Sequence, residues 1–156
     1  MLATLAAVGC NSNSAPMATT PTITPTPTPT ATPALTTTPT PSPYTINIVS
    51  KAIIGNYLVD NRGMTLYYTV SDRPGYSNLP DETLLVWPVF YVPNNIVPPS
   101  LNTSDFGPYT RDNNVRQTTY KGYPLYYFSQ DKLPGDTLGN KAGGVWFVVN
   151  PDSFPP

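Results

Sequence analysis

The chain of 156 residues contains 21 prolines, eight basic and nine acidic residues, one cysteine and no histidine. Without histidine, and with a single thiol, it cannot build a Ser-His-Asp or Cys-His catalytic centre, a histidine-ligated metal site or an internal disulfide. Its formal net charge of −1 argues against nucleic-acid binding, which depends on clustered basic residues, and no cofactor is expected.

The first ten residues are apolar and small and end at the only cysteine. The sequence Ala7-Val8-Gly9-Cys10 resembles a lipobox, in which a signal peptide is cleaved before a cysteine that receives a diacylglyceryl group. We interpret residues 1–10 as the remnant of a signal peptide with its lipobox, and we expect Cys10 to anchor the protein to a membrane. The alternative is a free thiol in an unstructured tail.

Residues 11–43 are rich in threonine and proline and carry no charge, since the first charged residue of the chain is Lys51. Between residues 15 and 43 there are nine prolines and twelve threonines. Proline fixes φ and removes a hydrogen-bond donor, and alternating Thr-Pro offers no apolar face to bury. We predict a disordered, extended stalk, with a passive tail as the alternative.

Residues 44–156 have the composition of a single small domain, and their Tyr, Val, Ile, Thr, Phe and Trp content favours β-strands. In chain order, strands are predicted over 45–49, 57–59 and 65–70, with a hairpin turn at 60–63. A short helix of one or two turns is predicted over 80–86, where Pro80 suits a first helical position. A second turn lies at 112–114, before a hairpin over 116–129 and a last strand over 144–149.

An internal repeat organises this domain, because shifting the sequence by about 59 residues superimposes two segments, about 57–90 and 116–149. The fold class is therefore predicted as a small antiparallel β domain built from two pseudo-symmetric hairpin repeats. Several residues recur at this spacing in both segments: Gly63 and Gly122, Leu66 and Leu125, Tyr67 and Tyr126, Tyr68 and Tyr127, Asp72 and Asp131, Trp87 and Trp146.

The second segment resembles a family of secreted-repeat lipoproteins that carry a Tyr-x-aromatic-x-x-Asp motif and have no assigned biochemical function. Tyr126, Phe128 and Asp131 occupy the three motif positions. In the first segment Thr69 replaces the aromatic residue, and the cysteine pair that many members carry before Trp-Pro is missing. The resemblance implies a β fold and an extracytoplasmic location with a lipid anchor.

The two recurring acids, Asp72 and Asp131, admit two interpretations. They could form a paired carboxylate site for glycan hydrolysis, or for a hard cation such as Ca²⁺. Alternatively, each could stabilise the turn after its hairpin by accepting backbone N–H bonds, as Asp often does in loops. We expect the second, and we predict no metal site and no catalytic residue.

The aromatic residues also admit structural and binding roles. Adjacent residues of a strand point to opposite faces, so one tyrosine of each Tyr-Tyr pair is expected in the core. The other ring would either cover a sheet edge or lie exposed as a binding surface for sugars or another chain. Both tryptophans are expected in the core, and Asn102-Thr103-Ser104 is a possible glycosylation site.

Two functional hypotheses follow from these features. The first is a non-enzymatic module at the cell surface, anchored to the membrane through lipid and in contact with an envelope glycan or a protein partner. The second is a surface enzyme or cation-dependent protein that uses Asp72 and Asp131.

Overall fold

The computed structural model describes residues 42–154, and the predicted leader, Cys10 and nearly all of the predicted stalk lie outside the described residues. The described part is mainly antiparallel β-structure, as predicted. It contains seven strands: β1 (Ile46–Lys51), β2 (Gly55–Asp60), β3 (Tyr67–Thr69), β4 (Phe106–Thr110), β5 (Arg116–Tyr120), β6 (Tyr123–Pro124) and β7 (Trp146–Val148).

The strands form three small sheets in which every pair is antiparallel. Strand β1 pairs with β2, β3 pairs with β7, and β4, β5 and β6 form a meander. Short 3-10 helices cover Asp81–Leu85, Thr103–Asp105 and Ala142–Gly144. Within residues 42–154, no helix is long and apolar enough to cross a membrane.

The two predicted hairpins exchange hydrogen bonds with each other at their centre. The backbone N–H of Tyr67 donates to the carbonyl of Tyr126 at 2.8 Å, and the N–H of Tyr126 donates back at 2.9 Å. Such a reciprocal pair is the ordinary unit of an antiparallel ladder. These two tyrosines, which occupy equivalent positions of the repeat, therefore lie directly opposite each other.

The stretch that follows the tryptophan of each segment pairs with the hairpin of the other segment. The N–H of Val149 donates to the Leu66 carbonyl at 3.1 Å, and the N–H of Phe90 donates to the Leu125 carbonyl at 2.9 Å. Phe90 and Val149 are themselves equivalent positions of the repeat. Each segment thus completes the sheet of the other.

Gly63 and Gly122 lie where a loop of the opposite segment approaches closely. Both have a left-handed backbone, with φ of 83° and 85°, and a Cβ on either would lie 2.9 Å from the Cβ of Pro134 or Pro74, respectively. Only glycine adopts this φ without strain and, having no Cβ, leaves room for the proline ring. The two positions are equivalent, and each one receives a proline from the opposite segment.

The buried side chains form two hydrophobic clusters. One cluster packs residues of β1, β2 and β5 against Leu66, Leu125 and the C-terminal Phe154. The other contains both tryptophans together with Tyr57, Val59, Tyr67, Tyr126 and Val148. Both tryptophans are therefore core residues, as expected from their apolar flanks.

Several predicted elements change partner or type in the structure. The segment after the first turn forms only a short ladder with β2, because β3 itself pairs with β7. The contacts with β2 are made by residues 64–66, through the bridge between Val59 and Thr65 and the flanking hydrogen bonds. The predicted helix over 80–86 is a 3-10 helix that follows Pro80 rather than including it. Strand β4 was not predicted, because Gly107 and Pro108 have low strand propensity; it lies at an edge of its sheet, where proline is tolerated.

Ile53 is the least favourable residue for its backbone at a hairpin tip. It has φ of 75° and its side chain is fully exposed. A β-branched residue pays a steric cost in this left-handed region, and no burial compensates for it here. The tip between β4 and β5 places Asn114 at φ of 63°, and asparagine tolerates that conformation.

We predict that Ile53→Asn stabilises the protein by about 1 kcal/mol, the typical cost of a left-handed non-glycine residue. The measurement is the free energy of unfolding from chemical denaturation. The reciprocal variant, Asn114→Ile, is the matched control and should lose stability by a similar amount. Equal stability of Ile53→Asn and the wild type would show that the tip carries no strain.

Candidate functional site

The motif tyrosines and aspartates are paired across the two segments. The hydroxyl of Tyr67 donates to Asp131 Oδ2 at 2.7 Å, and the hydroxyl of Tyr126 donates to Asp72 Oδ2, also at 2.7 Å. The second oxygen of each carboxylate accepts a backbone N–H, from Leu138 at 3.0 Å for Asp131 and from Asn78 at 2.7 Å for Asp72. Each carboxylate therefore uses both oxygens to hold a loop and the opposite hairpin.

Burial sets the electrostatics of these pairs. Both carboxylates are buried, and desolvation raises the pKa of Asp72 and of Asp131 above 3.8, although hydrogen bonds from tyrosine and backbone partly offset it. Desolvation is also the main cause of the raised pKa values of Tyr67 and Tyr126, so both phenols stay protonated as donors. These contacts match the turn-stabilising interpretation of the two acids.

The recurring tryptophans stack on each other between the tyrosines. Trp87 and Trp146 are parallel within 3°, with ring centroids 3.7 Å apart. Tyr67 meets Trp87 edge-on at 5.6 Å, and Tyr126 meets Trp146 edge-on at 5.3 Å. Phe128, the aromatic residue of the motif, covers Trp87 at 4.4 Å. The motif residues thus form one packed unit at the contact between the segments.

Of the two alternatives for the tyrosine pairs, an exposed binding surface is absent at these hairpins, and the expectation that only one ring of each pair is buried is wrong for Tyr67 and Tyr68. Tyr67, Tyr68 and Tyr126 are all buried, and Tyr127 is half-buried. Adjacent rings both find the interior because the strands lie between two hydrophobic clusters, so neither face of β3 is open to solvent. The tyrosine pairs therefore leave no stacking platform for a ligand.

Sequence reasoning missed the role of Asp60, a buried acid at the first turn. Asp60 accepts hydrogen bonds from the backbone N–H groups of Arg62 and Met64, from the Arg62 side chain and from the Tyr127 hydroxyl, at 2.8–3.0 Å. Its position at the start of an Asp-Asn-Arg-Gly turn was the available signal.

The remaining predicted residue, Asn102, is exposed, and its side-chain oxygen caps the 3-10 helix Thr103–Asp105 by accepting from Ser104 N–H.

A polar groove of about 490 Å³ lies between the loop of residues 76–81 and the tip of the β4–β5 hairpin. Arg111, the residue that follows β4, is only 6% exposed and forms part of the wall of this groove. Its guanidinium donates to Ser77 Oγ at 2.7 Å and to the Leu79 carbonyl at 2.6 Å. This buried arginine gave no signal in the sequence, because arginine is normally a surface residue.

Among residues 42–154, no group of three or more His, Cys, Asp or Glu side chains could hold a metal ion. The described acids also differ in their neighbours. The charge of Arg111 lowers the pKa of Asp72. For Asp131, the charge of Asp136 raises the pKa and that of Lys51 lowers it. The geometry therefore offers structural carboxylates and a polar groove.

Residues 108–150 match a family described as a secreted repeat of unknown function. This confirms the resemblance that the motif indicated. No match was found among curated proteins or among solved structures. The matched residues begin within β4 and end after β7, so they contain Tyr126, Phe128, Asp131 and Trp146.

The match of residues 108–150 to a secreted repeat places the protein outside the cytoplasm. It also gives the packed unit of tyrosine, aspartate and tryptophan a family context. In this chain, residues of the matched segment 108–150 contact residues outside that segment. Tyr126 donates a hydrogen bond to Asp72, and Trp146 stacks on Trp87.

We predict that Tyr126→Phe lowers the free energy of unfolding by about 1–3 kcal/mol, because the buried Asp72 loses a hydrogen-bond donor. Tyr67→Phe should have a similar effect through Asp131. The matched control is Tyr68→Phe, whose hydroxyl has no hydrogen-bond partner among the described residues and whose loss should change stability by less than about 0.5 kcal/mol. Equal effects of all three variants in denaturation experiments would contradict the assigned role.

We predict a pH dependence with a defined sign for the same pairs. Because the folded pKa of Asp72 lies above 3.8, the folded state binds more protons than the unfolded chain just above that pH. The contribution of Asp72 to stability is complete below pH 3.8 and is lost as the pH rises through the folded pKa. Asp72→Asn should remove this part of the slope of unfolding free energy against pH.

Asp136 provides a control of opposite sign for this titration. Backbone N–H groups of Leu133 and Lys132 lower its pKa, so its contribution is present above pH 3.8 and is lost on acidification. Asp136→Asn should therefore change the slope of the unfolding free energy against pH in the direction opposite to Asp72→Asn. The assignment fails if the two variants change the slope in the same direction.

Proposed function

We propose that this protein is a lipid-anchored module of the cell surface that binds an envelope component and is not an enzyme. The secreted repeat supports the extracytoplasmic location. The observation that carries the proposal is the internal use of the motif's polar groups. Tyrosine hydroxyls and carboxylates that could have served a reaction are buried and paired with each other.

The same observation weighs against glycan hydrolysis by Asp72 and Asp131. In such enzymes one carboxyl group donates a proton to the substrate, and the other attacks it or activates water. Here both oxygens of each carboxylate accept hydrogen bonds from the protein, and each side chain is buried. A substrate would have to displace the contacts that join the two segments, so we do not propose this activity.

We further infer that residues 57–90 are a second, diverged copy of the secreted repeat. Support comes from the constant spacing of the recurring residues and from contacts that occur in equivalent pairs. The tyrosine of each segment bonds to the aspartate of the other. A two-copy chain can thus complete within itself a core that one repeat alone leaves unfinished.

The anchor and spacer complete the proposal. Cys10 would carry the lipid, and the Thr/Pro-rich residues 11–43 would hold the β domain away from the membrane. A polyproline II-like segment of this length could span up to about 100 Å, at about 3.1 Å per residue. A binding module on such a tether would reach envelope material at a distance from its anchor.

We predict that Cys10→Ser abolishes incorporation of an alkyne-tagged fatty acid and moves the protein from the detergent phase to the aqueous phase. The experiment uses the complete gene expressed in its own host. Ser12→Ala is the control and should keep the label and the detergent partitioning. Unchanged labelling of Cys10→Ser would rule out this cysteine as the anchor.

A further inference from the structure

We propose that the groove between residues 76–81 and the β4–β5 hairpin tip binds a neutral glycan chain. The proposal deepens the binding function given above and rests on it. The groove has a volume of about 490 Å³, which accommodates a short stretch of sugar residues. It is formed by two loops from different segments of the chain, each held in place by hydrogen bonds.

The wall of the groove is preorganised by Arg111. Besides its bonds to Ser77 and Leu79, the guanidinium approaches Asp81 Oδ1 at 3.7 Å. The hydroxyl of Tyr109 accepts the backbone N–H of Ser77 at 3.2 Å, which leaves its own proton available to a ligand. A loop fixed in this way loses little conformational freedom on binding.

Arg111 acts on the groove through its wall and does not itself contact a ligand. Its Nε–H is buried and has no hydrogen-bond partner in the described part of the chain. Because this atom is closed to solvent, the contacts with a sugar are left to the exposed side chains of the wall.

The charges around the groove select against an anionic ligand. Asp81 and Asp112 both line it and are exposed. The positive charge of Arg111 already faces Asp81 and the buried Asp72. A phosphate or uronate would therefore meet two carboxylates, and the neighbouring Arg73 guanidinium lies over the Tyr76 ring, 5.1 Å from its centroid.

The remaining wall residues suit neutral hydroxyl-bearing rings. Tyr76 is 42% exposed, with the Arg73 guanidinium over one face of its ring, and Tyr109 is half-buried. Each ring therefore leaves only part of its surface for contact with a sugar ring. Asn78 and Asn113 are exposed amides, each with donors and an acceptor. Asn113 Nδ2 donates to Asp81 Oδ1 at 2.7 Å, which orients both side chains toward fixed positions.

The two segments differ where the groove lies. In this part of the repeat the spacing is longer by a single position, so that Arg111 corresponds to Lys51 and Ser77 corresponds to Thr137. Lys51 contacts Thr137 Oγ1 at 3.0 Å, so the equivalent cation and hydroxyl are joined in both segments. In contrast, Tyr76 and Asn113 correspond to Asp136 and Ile53. Both segments therefore share the contact between a cation and a hydroxyl, whereas the side chains of Tyr76 and Asn113 have no equivalent in the other segment.

The test is isothermal titration of the full chain, purified from its host in detergent, with soluble oligosaccharides of six sugars. The neutral probes are cello-, manno-, xylo- and chito-oligosaccharides, and the anionic probe is oligogalacturonate. We expect one neutral probe to bind and the anionic probe to bind at least tenfold more weakly. Tyr76→Ala and Asn113→Ala should each weaken binding about tenfold, whereas the matched tip variant Ile53→Ala should leave it unchanged.

The outcomes separate this proposal from the broader one. If a glycan binds equally well to the wild type and to Tyr76→Ala and Asn113→Ala, the groove is wrong while a glycan-binding function stands. If oligogalacturonate binds more tightly than every neutral probe, the ligand class is wrong. If none of the probes binds to a correctly lipidated protein, the proposal is overturned, although the anchor remains. Near-ultraviolet circular dichroism confirms that each exposed-site variant is folded.

Discussion

The exchange of hydrogen bonds between Tyr67 and Asp131 and between Tyr126 and Asp72 is the constraint on which this domain depends. A carboxylate and a phenol that are each buried alone would be costly, because both would lose water without gaining a partner. Neither segment contains the partner of its own tyrosine. The two segments must therefore associate before either can bury its motif, which couples their folding.

Hydrophobic packing acts in the same direction as these polar pairs. The stacked tryptophans come from the two segments, and each is braced by a tyrosine that is bonded across the interface. Gly63 and Gly122 admit prolines from the opposite loops at distances that no side chain would allow. Apolar burial, aromatic geometry and hydrogen bonding thus all specify one arrangement of the segments, and such agreement favours a single native structure.

The sequence predicted the β class, the turn at Gly63, the buried tryptophans and the structural role of the two aspartates, because each depends on local chemistry. It did not predict which tyrosine meets which aspartate. A constant spacing makes two positions equivalent, but it does not say whether contacts form within a segment or between segments. In the strands that precede the two turns, equivalent residues are one position further apart than in the strands that follow them, as for Ile46 and Phe106 or Lys51 and Arg111. The reason is that the first turn, after β2, is one residue longer than the turn after β5. That shift, together with the low strand propensity of Gly107 and Pro108, hid strand β4 and its correspondence to β1.

The groove could not be predicted for a related reason. Its wall depends on a buried arginine, and burial of a charge is decided by tertiary contacts that no local pattern encodes. Lys51 and Arg111 occupy equivalent positions, yet Lys51 remains exposed while Arg111 is enclosed by the loop that carries Ser77 and Leu79. The contacts that join the segments occur in equivalent pairs, so the side chains on the loops can differ between segments without loss of those contacts. Functional surface in such a fold is therefore to be sought where the two segments differ. In this chain they differ around that shared contact at the groove, where Tyr76 and Asn113 stand in place of Asp136 and Ile53.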